Sequence, residues 1–269
     1  MTRIEHEAAM RAEHGEIFQI LDGLAGNIET FLQTLAIKRE DGLGVIKSSL
    51  LLRLATGLEA LGLLAARGYY TEAVGQKRSL MEALARLAAL SKKSDLLDEY
   101  LMQDELNKVK IVNDVIEFRK AWTPDIPRVP PDEELHETLK VIHQRIDEYN
   151  KNARRKLRDI KTFDWAKFGE VEHLFHGHYP ISSQALHHAP RDLERRFVVK
   201  DDELIGIAIG PEPGDVPALL LEACKFVFVG VQWFAVSVGL EVPEEINALY
   251  QTHTDAYERL ADEALDRRA

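Results

Sequence analysis

Apolar residues recur at alternating steps of three and four along the first third of the chain, which is the spacing of one buried face on an α-helix. The pattern predicts a long first helix that ends in the turn 38–44 and a second helix over 45–67 that Gly68 terminates. A third helix, rich in alanine and suited to close packing, is predicted to begin with Thr71 as its cap. The apolar positions of the first helix are Ile17, Leu21, Leu24, Ile28, Phe31 and Leu35.

Two further long helices are predicted in the middle of the chain. Ser94 opens the fourth, which ends before the proline-rich loop 123–131, because proline lacks the amide hydrogen that a helix interior needs. The fifth spans 132–161 and carries a nearly continuous heptad seam, which favours a long partner helix in this chain or in a second copy. A homodimer through this seam is therefore one expectation. The seam residues are Leu135, Leu139, Ile142, Ile146, Tyr149, Ala153 and Ile160.

The pattern changes after residue 162. Residues 163–213 are predicted to form an irregular, histidine-rich segment that ends in a β-hairpin near residues 196–209, where β-branched runs flank Asp201 and Asp202. Asp215 is predicted to cap a core helix over 216–238, and Pro243 to start a final helix. The sequence therefore predicts an all-α fold, an antiparallel bundle of about seven helices in a single domain over residues 1–269, with the short hairpin inserted before the core helix.

Composition narrows the classes of function. There are 34 lysines and arginines against 45 aspartates and glutamates, so the net charge is −11, and the mean field repels nucleic acids and anionic membranes. Cys224 is the only cysteine, and residues 1–16 lack the apolar core of a signal peptide. We therefore expect a cytoplasmic protein. No membrane span is expected, because Glu222 and Lys225 interrupt the apolar helix 216–238.

The first candidate site lies on the predicted second and third helices. Arg78, Glu82 and Arg86 follow one another at four-residue spacing, and Arg53 and Glu59 lie on the preceding helix. Because the two helices form a hairpin, the two polar stripes could face each other. One interpretation is a solvated ladder of salt bridges. The other is a buried, hydrogen-bonded cluster that lines a pocket for binding or catalysis.

The second candidate site is a phenol, a hydroxyl and an imidazole on one helical face. Tyr179, Ser183 and His187 are separated by steps of four, so their side chains project in the same direction. A hydroxyl beside an imidazole can be a nucleophile and its base. The same pattern also serves as a polar seam that ties a helix to its neighbours.

Two weaker alternatives come from histidine and basic residues. The three histidines closest together could ligate zinc or another transition metal, although the segment around them lacks the pattern of a long helix. A basic stripe on the predicted fifth helix could hold the phosphates of a nucleic acid, or simply face solvent. The histidines are His173, His176 and His178, and the basic residues are Lys151, Arg154, Arg155 and Arg158.

Two short motifs carry a resemblance to a known family. The run from Arg78 to Glu82 reads Arg-Ser-Leu-Met-Glu after a Gly-Tyr turn, and Tyr179, Ser183 and His187 form a Tyr-x-x-x-Ser-x-x-x-His segment. The chain thereby resembles, over about residues 45–238, a bacterial domain-of-unknown-function family with both motifs. The resemblance implies that the polar residues of the two motifs share one site, namely Arg78, Glu82, Tyr179, Ser183 and His187. It also suggests a role in phage defence or toxin-like growth arrest.

Three hypotheses of function follow. In the first, the protein is a hydrolase acting on a phosphate-containing or nucleic-acid substrate. Arg78 holds an anion, Glu82 orients it or acts as base, Tyr179, Ser183 and nearby polar residues contribute binding, and His187 is the general acid or base. In the second, it is a non-catalytic helical module for protein interaction or self-assembly. In the third, it is a metal-binding helical protein. Glycine-rich phosphate loops and His-Glu-x-x-His are absent from the sequence, and no cofactor is expected.

Overall fold

The computed structural model describes residues 2–38, 40–121, 130–153, 156–186, 194, 196–212 and 214–266. They form ten α-helices and one two-stranded antiparallel sheet. The helices are α1 (Arg3–Glu13), α2 (Gly15–Gln33), α3 (Gly42–Ala66), α4 (Tyr70–Lys92), α5 (Leu97–Ala121), α6 (Asp132–Asn152), α7 (Thr162–Phe168), α8 (His178–Leu186), α9 (Val216–Val238) and α10 (Glu244–Asp266). The strands are β1 (Phe197–Lys200) and β2 (Glu203–Ile207), and short 3₁₀ turns lie at Ser94–Leu96 and Glu172–Leu174.

The all-α class with one hairpin is confirmed, but the expected count of about seven helices is wrong. The N-terminal residues form a helix of their own, α1, with a capping box in which Thr2 and Glu5 satisfy each other's backbone amides. Within the segment expected to be irregular and rich in histidine, two short helices form, α7 and α8, with a 3₁₀ turn between them. Helices of seven and nine residues are too short for apolar periodicity to reveal them.

The described chain divides into two compact units, one made of Met1–Lys93 with Thr162–Ala269, the other of Ser94–Lys161. The single domain over residues 1–269 stays a prediction. In the larger unit α4 is central, since α3, α7, α8 and α9 all pack against it. Helix α2 packs on α3 and α9, and α10 packs on α2 and α9. The alanine-rich composition of α4 allows this crowding. A Cβ added at Gly169, just after α7, would lie only 2.7 Å from the backbone nitrogen of Ala89.

The smaller unit is a hairpin of α5 and α6. Its two helices are antiparallel, because Arg119 near the end of α5 pairs with Asp132 at the start of α6 (3.1 Å) and Glu105 lies 3.5 Å from Arg145. The seam of α6 faces α5, with Leu135 buried at its first turn. The partner helix of the seam is therefore in the same chain, and self-assembly through this seam stays a prediction.

The expected helix over 132–161 is too long, since α6 ends at Asn152 and Ala153 is extended (φ −77°, ψ 145°). Side chains hold the following segment in a non-helical path. The Asn150 side-chain oxygen accepts from the backbone amide of Leu157 (2.6 Å), and the side chain of Gln103 on α5 binds the backbone of Arg158 and Ile160. These contacts compete with helical hydrogen bonds and stop the helix.

Several helix and strand ends follow the sequence signals. Asp215 caps α9 by accepting from the amide of Ala218 (3.1 Å), Gly239 ends it at φ 69°, and Gly68 ends α3 at φ 72°. The hairpin turn consists of Asp201 and Asp202, both with positive φ, as a two-residue turn requires. The expected cap Thr71 is wrong: α4 begins at Tyr70, and its cap comes from elsewhere in the chain.

Two helices among the described residues, α3 and α9, are long and apolar enough by length and composition to cross a membrane. A core helix of a folded protein has the same composition. Of the most apolar window, 56% is buried inside the structure in α3 and 67% in α9. The absence of a membrane span and the cytoplasmic location both stay predictions.

Candidate functional site

Helix α4 presents a row of charged side chains at four-residue spacing. Arg78 Nε donates to Glu82 Oε1 (3.0 Å), and Arg86 Nη1 donates to the Glu82 backbone oxygen (2.8 Å) while lying 3.8 Å from Glu82 Oε2. The opposite side of α4 is filled by leucine and alanine that pack in the core. The helix thus fixes the two guanidinium groups on either side of one carboxylate.

Helix α8 adds two hydroxyl groups to this row. The Tyr179 hydroxyl donates to Glu82 Oε1 (3.1 Å), and Arg78 Nη1 donates to Ser183 Oγ (3.1 Å). The Arg78 guanidinium also lies over the Tyr179 ring, 5.1 Å from its centroid, which adds a cation–π attraction. Tyr179 and Ser183 are one helical turn apart, so a single face of α8 supplies both. We call these five residues, Arg78, Glu82, Arg86, Tyr179 and Ser183, the Arg78 cluster.

The charged members of the Arg78 cluster are neither buried nor fully exposed. The side chains of Arg78, Glu82 and Arg86 retain 24%, 30% and 29% of their exposure, so solvent or a ligand can reach them. Burial tends to lower the pKa of Arg78, but the Glu82 hydrogen bond and the interactions with Tyr179 outweigh it, and the net pKa is raised. Two guanidinium charges and one carboxylate charge leave a local excess of one positive charge in a chain of net charge −11.

A second polar group next to the Arg78 cluster joins α4, α8 and α9. The buried Lys77 binds Glu222 Oε2 (2.7 Å), and His178 Nδ1 lies 3.3 Å from the same oxygen. His178 also packs its edge against the Phe226 ring. We call these residues, Lys77, Glu222 and His178, the Lys77 triad. The triad has no sequence motif because its members lie on three helices, and only the adjacency of Lys77 to Arg78 and of His178 to Tyr179 could have indicated it.

Not all predicted site residues join the Arg78 cluster. Arg53 and Glu59 are exposed on α3, so the expectation that they face Arg78 and Glu82 is wrong. Helix α3 instead turns Leu54, Gly57 and Leu61 inward, because it is apolar around most of its circumference and its few polar residues occupy the solvent side. His187 lies outside the described residues.

The histidines do not converge on one point. His173 and His176 are exposed, His176 packs against the Phe163 ring, and His178 belongs to the Lys77 triad. Within the described ranges, no three His, Cys, Asp or Glu side chains lie close enough together to hold a metal ion. Cys224 is fully buried, and burial raises the pKa of its thiol, so it is not a thiolate ligand at neutral pH.

The basic stripe does not form one helical face in the described residues. Lys151 lies in the last turn of α6, whereas Arg158 follows the end of the helix and its backbone oxygen binds Gln103. Arg154 and Arg155 lie outside the described residues. The stripe expected from helical spacing is therefore wrong, because the helix on which it depends ends at Asn152. Binding of nucleic acid there stays a prediction.

Two surface cavities lie away from the Arg78 cluster. One, of about 590 Å³, is in the larger unit between the start of α2, the start of α9 and the end of α10, and includes His14, Asp215 and Arg259. The other, of about 360 Å³, lies in the smaller unit beside Arg145 and Tyr149. The Arg78 cluster is a polar surface at the contact of α4 with α8, and its two guanidinium groups suit an anion more than a large apolar ligand.

The chemistry available at the Arg78 cluster is that of anion binding. A guanidinium has five N–H groups, more than the two that bind Glu82 and Ser183, so Arg78 can also bind an oxyanion. The Ser183 hydroxyl accepts from Arg78 and keeps its own proton for a further acceptor. Arg86 adds a second cation within the same row.

Comparison with known proteins gives one match. No curated protein matches the chain, and no solved structure does. A family of unknown function, DUF5677, matches residues 45–204, from α3 into β2. That span contains Arg78, Glu82, Tyr179 and Ser183. Since the match covers more than half of the chain, the protein belongs to the family of unknown function DUF5677.

Proposed function

We propose that the protein is a hydrolase that acts on a phosphate-containing substrate, such as a nucleotide or a nucleic acid, bound at the Arg78 cluster. One observation carries the proposal: two guanidinium groups, a carboxylate and two hydroxyls from α4 and α8 meet on a partly exposed surface. The charged members of the cluster remain within reach of solvent, as a site for an anionic ligand requires.

Each residue has a distinct role in this proposal. Arg78 and Arg86 bind phosphate oxygens and neutralise the charge that grows on them during hydrolysis. Glu82 and Tyr179 hold the Arg78 guanidinium in place, and Ser183 donates a hydrogen bond to the bound phosphate. His187 takes a proton from the attacking water or gives one to the leaving oxygen.

The biological setting is also a proposal. Hydrolysis of nucleotides or nucleic acids in the cytoplasm would arrest growth, and this would suit phage defence or a toxin-like role. Expression of the wild-type chain should then slow cell growth, whereas expression of the Ser183→Ala or His187→Asn variant should not.

The test compares cluster variants with matched variants on α3. Wild type, Ser183→Ala, Glu82→Gln and His187→Asn are incubated with a nucleoside triphosphate, single-stranded RNA and a chromogenic phosphodiester. Product release is measured beside a melting curve. Glu59→Gln makes the same change as Glu82→Gln at an exposed site, so it should keep full activity. We expect at least a hundredfold loss of activity in Ser183→Ala, which removes one transition-state donor, and a loss in Glu82→Gln and His187→Asn, which disturb the position of Arg78 and the proton transfer.

A measurement of anion binding tests the site even if the natural substrate is not among the compounds assayed. Inorganic phosphate or pyrophosphate should raise the melting temperature of the wild type by linkage, and not that of Arg78→Ala. The Arg53→Ala variant is the control, because Arg53 is exposed away from the cluster. If neither anion stabilises the wild type and no phosphate ester is cleaved, the proposal is wrong.

A second candidate, a non-catalytic helical module, is favoured by a specific observation. The polar groups of the Arg78 cluster satisfy one another, since Glu82 accepts from Arg78 and Tyr179 and Arg78 binds Ser183. A network of this kind can have a purely structural role, which is to hold α8 on α4. In that case the Glu82→Gln and Ser183→Ala variants lower the melting temperature and no variant separates activity from stability.

A further inference from the structure

The β1–β2 hairpin has one wholly apolar side. Its register pairs Phe197 with Ile207 and Val199 with Leu204, and cross-strand partners lie on the same side of a sheet. The strand pairing shifts by one residue between Val198 and Val199, which is a β-bulge. The bulge keeps these four side chains on one side of the hairpin although Leu204 and Ile207 are three residues apart on β2. Ile209, two residues beyond Ile207, continues the same side. We call these five residues, Phe197, Val199, Leu204, Ile207 and Ile209, the apolar hairpin face.

The other side of the hairpin is polar by comparison. There Val198 pairs with Gly206, and Lys200 pairs with Glu203 beside the turn. The charged pair of the hairpin therefore lies beside the turn on the side away from the apolar hairpin face, and Ile205, which is 59% exposed, is the unpaired residue of the bulge. Antiparallel sheets have this alternation when one side is covered by protein and the other faces water.

In the part of the chain that the structure describes, the apolar hairpin face is largely uncovered. Phe197 retains 41% of its exposure, Val199 and Leu204 each retain 59%, Ile207 retains 64% and Ile209 is fully exposed. Neither strand makes an extensive contact with a described helix of its own unit. A two-stranded hairpin without packing is only marginally stable in water, so a cover for this face has a clear energetic role.

We propose that the apolar hairpin face is an interface between two copies of this chain, in which the same face of each hairpin packs across a two-fold axis. This proposal is independent of the proposed hydrolase function and uses a surface other than the seam of α6. The face carries no charge, so a partner must present an equally uncharged, flat and apolar sheet side. A second copy presents that surface, and an isologous pairing closes at two subunits.

The exposed area agrees with the area that a specific dimer needs. At roughly 150–200 Å² for each large apolar side chain, the exposed fractions amount to on the order of 600 Å² in one copy. Complete burial of a pair of faces would remove about 1,200 Å² from water, which is the lower limit for specific protein interfaces. Two sheets packed face to face at about 10 Å can approach this burial. We therefore expect a reversible dimer, not an obligate one.

Charge does not oppose this arrangement at short range. Each copy carries a net charge of −11, but charges more than about 10 Å apart are largely screened at physiological salt. Lys200, Asp201, Asp202 and Glu203 cluster at the turn, so a packing in which the two turns point in opposite directions keeps them apart. Added salt should strengthen the dimer modestly, because it screens the remaining repulsion.

The test uses two adjacent valines as a matched pair. Val199 lies on the apolar hairpin face and Val198 on the other side, and both are exposed in the single chain. The full-length wild type, Val199→Lys and Val198→Lys are compared by light scattering over a range of protein concentrations. We expect the wild type and Val198→Lys to dimerise and Val199→Lys to remain monomeric, with at least a tenfold weaker association.

A cross-linking experiment places the contact. The wild type has one cysteine, Cys224, which is buried, so a short bismaleimide reacts only with an introduced surface thiol. Leu204→Cys should give a cross-linked dimer in high yield, and Val198→Cys should not. Melting curves of all variants show whether the larger unit remains folded.

Three results would overturn the proposal. The first is a wild type that stays monomeric at the highest concentration measured. The second is equal dissociation of the Val198→Lys and Val199→Lys variants, or a dimer that survives Val199→Lys, since either places the interface elsewhere. The third is a monomer that co-sediments with anionic phospholipid vesicles through Val199, which would assign the apolar hairpin face to a membrane surface.

Discussion

His253 is a buried ionisable residue outside the Arg78 cluster. It lies on α10 at 4% exposure, with its Nε2 2.8 Å from the backbone oxygen of Leu221 on α9. The carbonyl can only accept, so Nε2 carries the proton and Nδ1 is bare. Nδ1 is buried without a hydrogen-bond partner in the described part of the chain, between the rings of Phe228 and Tyr250. A proton added there would be a buried, unpaired charge.

This environment makes stability depend on pH with a defined sign. Burial lowers the pKa of His253 below its ordinary value near 6.5, so the unfolded chain binds a proton more readily than the folded one. The contribution of neutral His253 is complete above the unfolded pKa and is lost as pH falls from there through the lowered pKa of the folded state. We therefore expect the free energy of unfolding to decrease when the pH is lowered from about 7.5 to about 5.5.

The measurement is thermal unfolding of wild type and His253→Gln at both pH values. Glutamine can keep the hydrogen bond to Leu221 but does not titrate, so the variant should lose less stability on acidification. His173→Gln, at an exposed histidine, should behave like the wild type. An identical pH dependence in wild type and His253→Gln would show that the imidazole is already solvated in the folded protein.

The sequence motifs predicted the polar contacts between α4 and α8, and the prediction for α3 failed because it depends on how that helix is rotated about its axis. Arg78 and Glu82 meet Tyr179 and Ser183 as the two motifs indicated, because four-residue spacing fixes which side chains share a face. Arg53 and Glu59 do not join them. Helix α3 is apolar on most sides, so spacing alone gives no rotational phase, and only the packing of Leu54 and Leu61 against neighbouring helices sets it.

At the scale of helices and strands, the ends that are set by nearby residues could be predicted from the sequence, and the ends that are set by distant residues could not. Asp215, Gly239 and Gly68 end or cap their helices through contacts within a few residues, which sequence shows directly. The end of α6 depends on Gln103, more than 50 residues away, binding the backbone of Arg158 and Ile160. No periodicity in residues 132–161 could contain that information.

The N-terminus of α4 is the clearest case of a long-range cap. Tyr69 at the cap position makes no capping bond with its side chain. Instead the buried Glu212 accepts from the amide of Thr71 (2.9 Å), pairs with Arg196 at the base of the hairpin, and donates its own amide to the Gly68 oxygen. The carboxylate is favoured there also by the positive end of the helix dipole. One residue thus links the hairpin to the helix that carries the Arg78 cluster.

We predict that Glu212→Ala destabilises the protein by about 2–3 kcal/mol, because it leaves a helix amide and the Arg196 guanidinium without their partner. Glu212→Gln should cost less, since the amide oxygen can still accept from Thr71. The measurement is urea unfolding followed by circular dichroism. Asp215→Ala, which removes an ordinary local cap from α9, provides the scale of about 1 kcal/mol. A loss in Glu212→Ala no larger than that in Asp215→Ala would mean that the Arg196 pairing contributes nothing.

At the scale of the whole molecule, the larger unit contains nearly all of the fully buried core. Trp165, Phe175, Phe226 and Phe234 are among its largest buried side chains. The smaller unit, Ser94–Lys161, buries few large apolar residues, such as Ile116, Leu135 and Ile142. A helical hairpin of that length with so small a core is marginal by itself. We therefore expect the larger unit to be stable when isolated and the smaller unit to be only marginally stable when isolated.

The larger unit should fold without residues 94–161. Removal of residues 94–161 leaves chain ends at Lys93 and Thr162. Helix α7 keeps these ends near one another, because Lys92 pairs with Glu170 and the Lys93 ammonium lies 5.1 Å from the Phe168 ring centroid. Helix α7 is only about 10 Å long, so a linker of roughly eight glycine and serine residues can join Lys93 to Thr162. We expect this shortened chain to unfold cooperatively with a melting temperature within a few degrees of the wild type, and the excised hairpin to be largely unfolded. Circular dichroism of both pieces measures this. Loss of cooperative unfolding in the shortened chain would show instead that residues 1–269 form one interdependent domain, as their sequence pattern suggested.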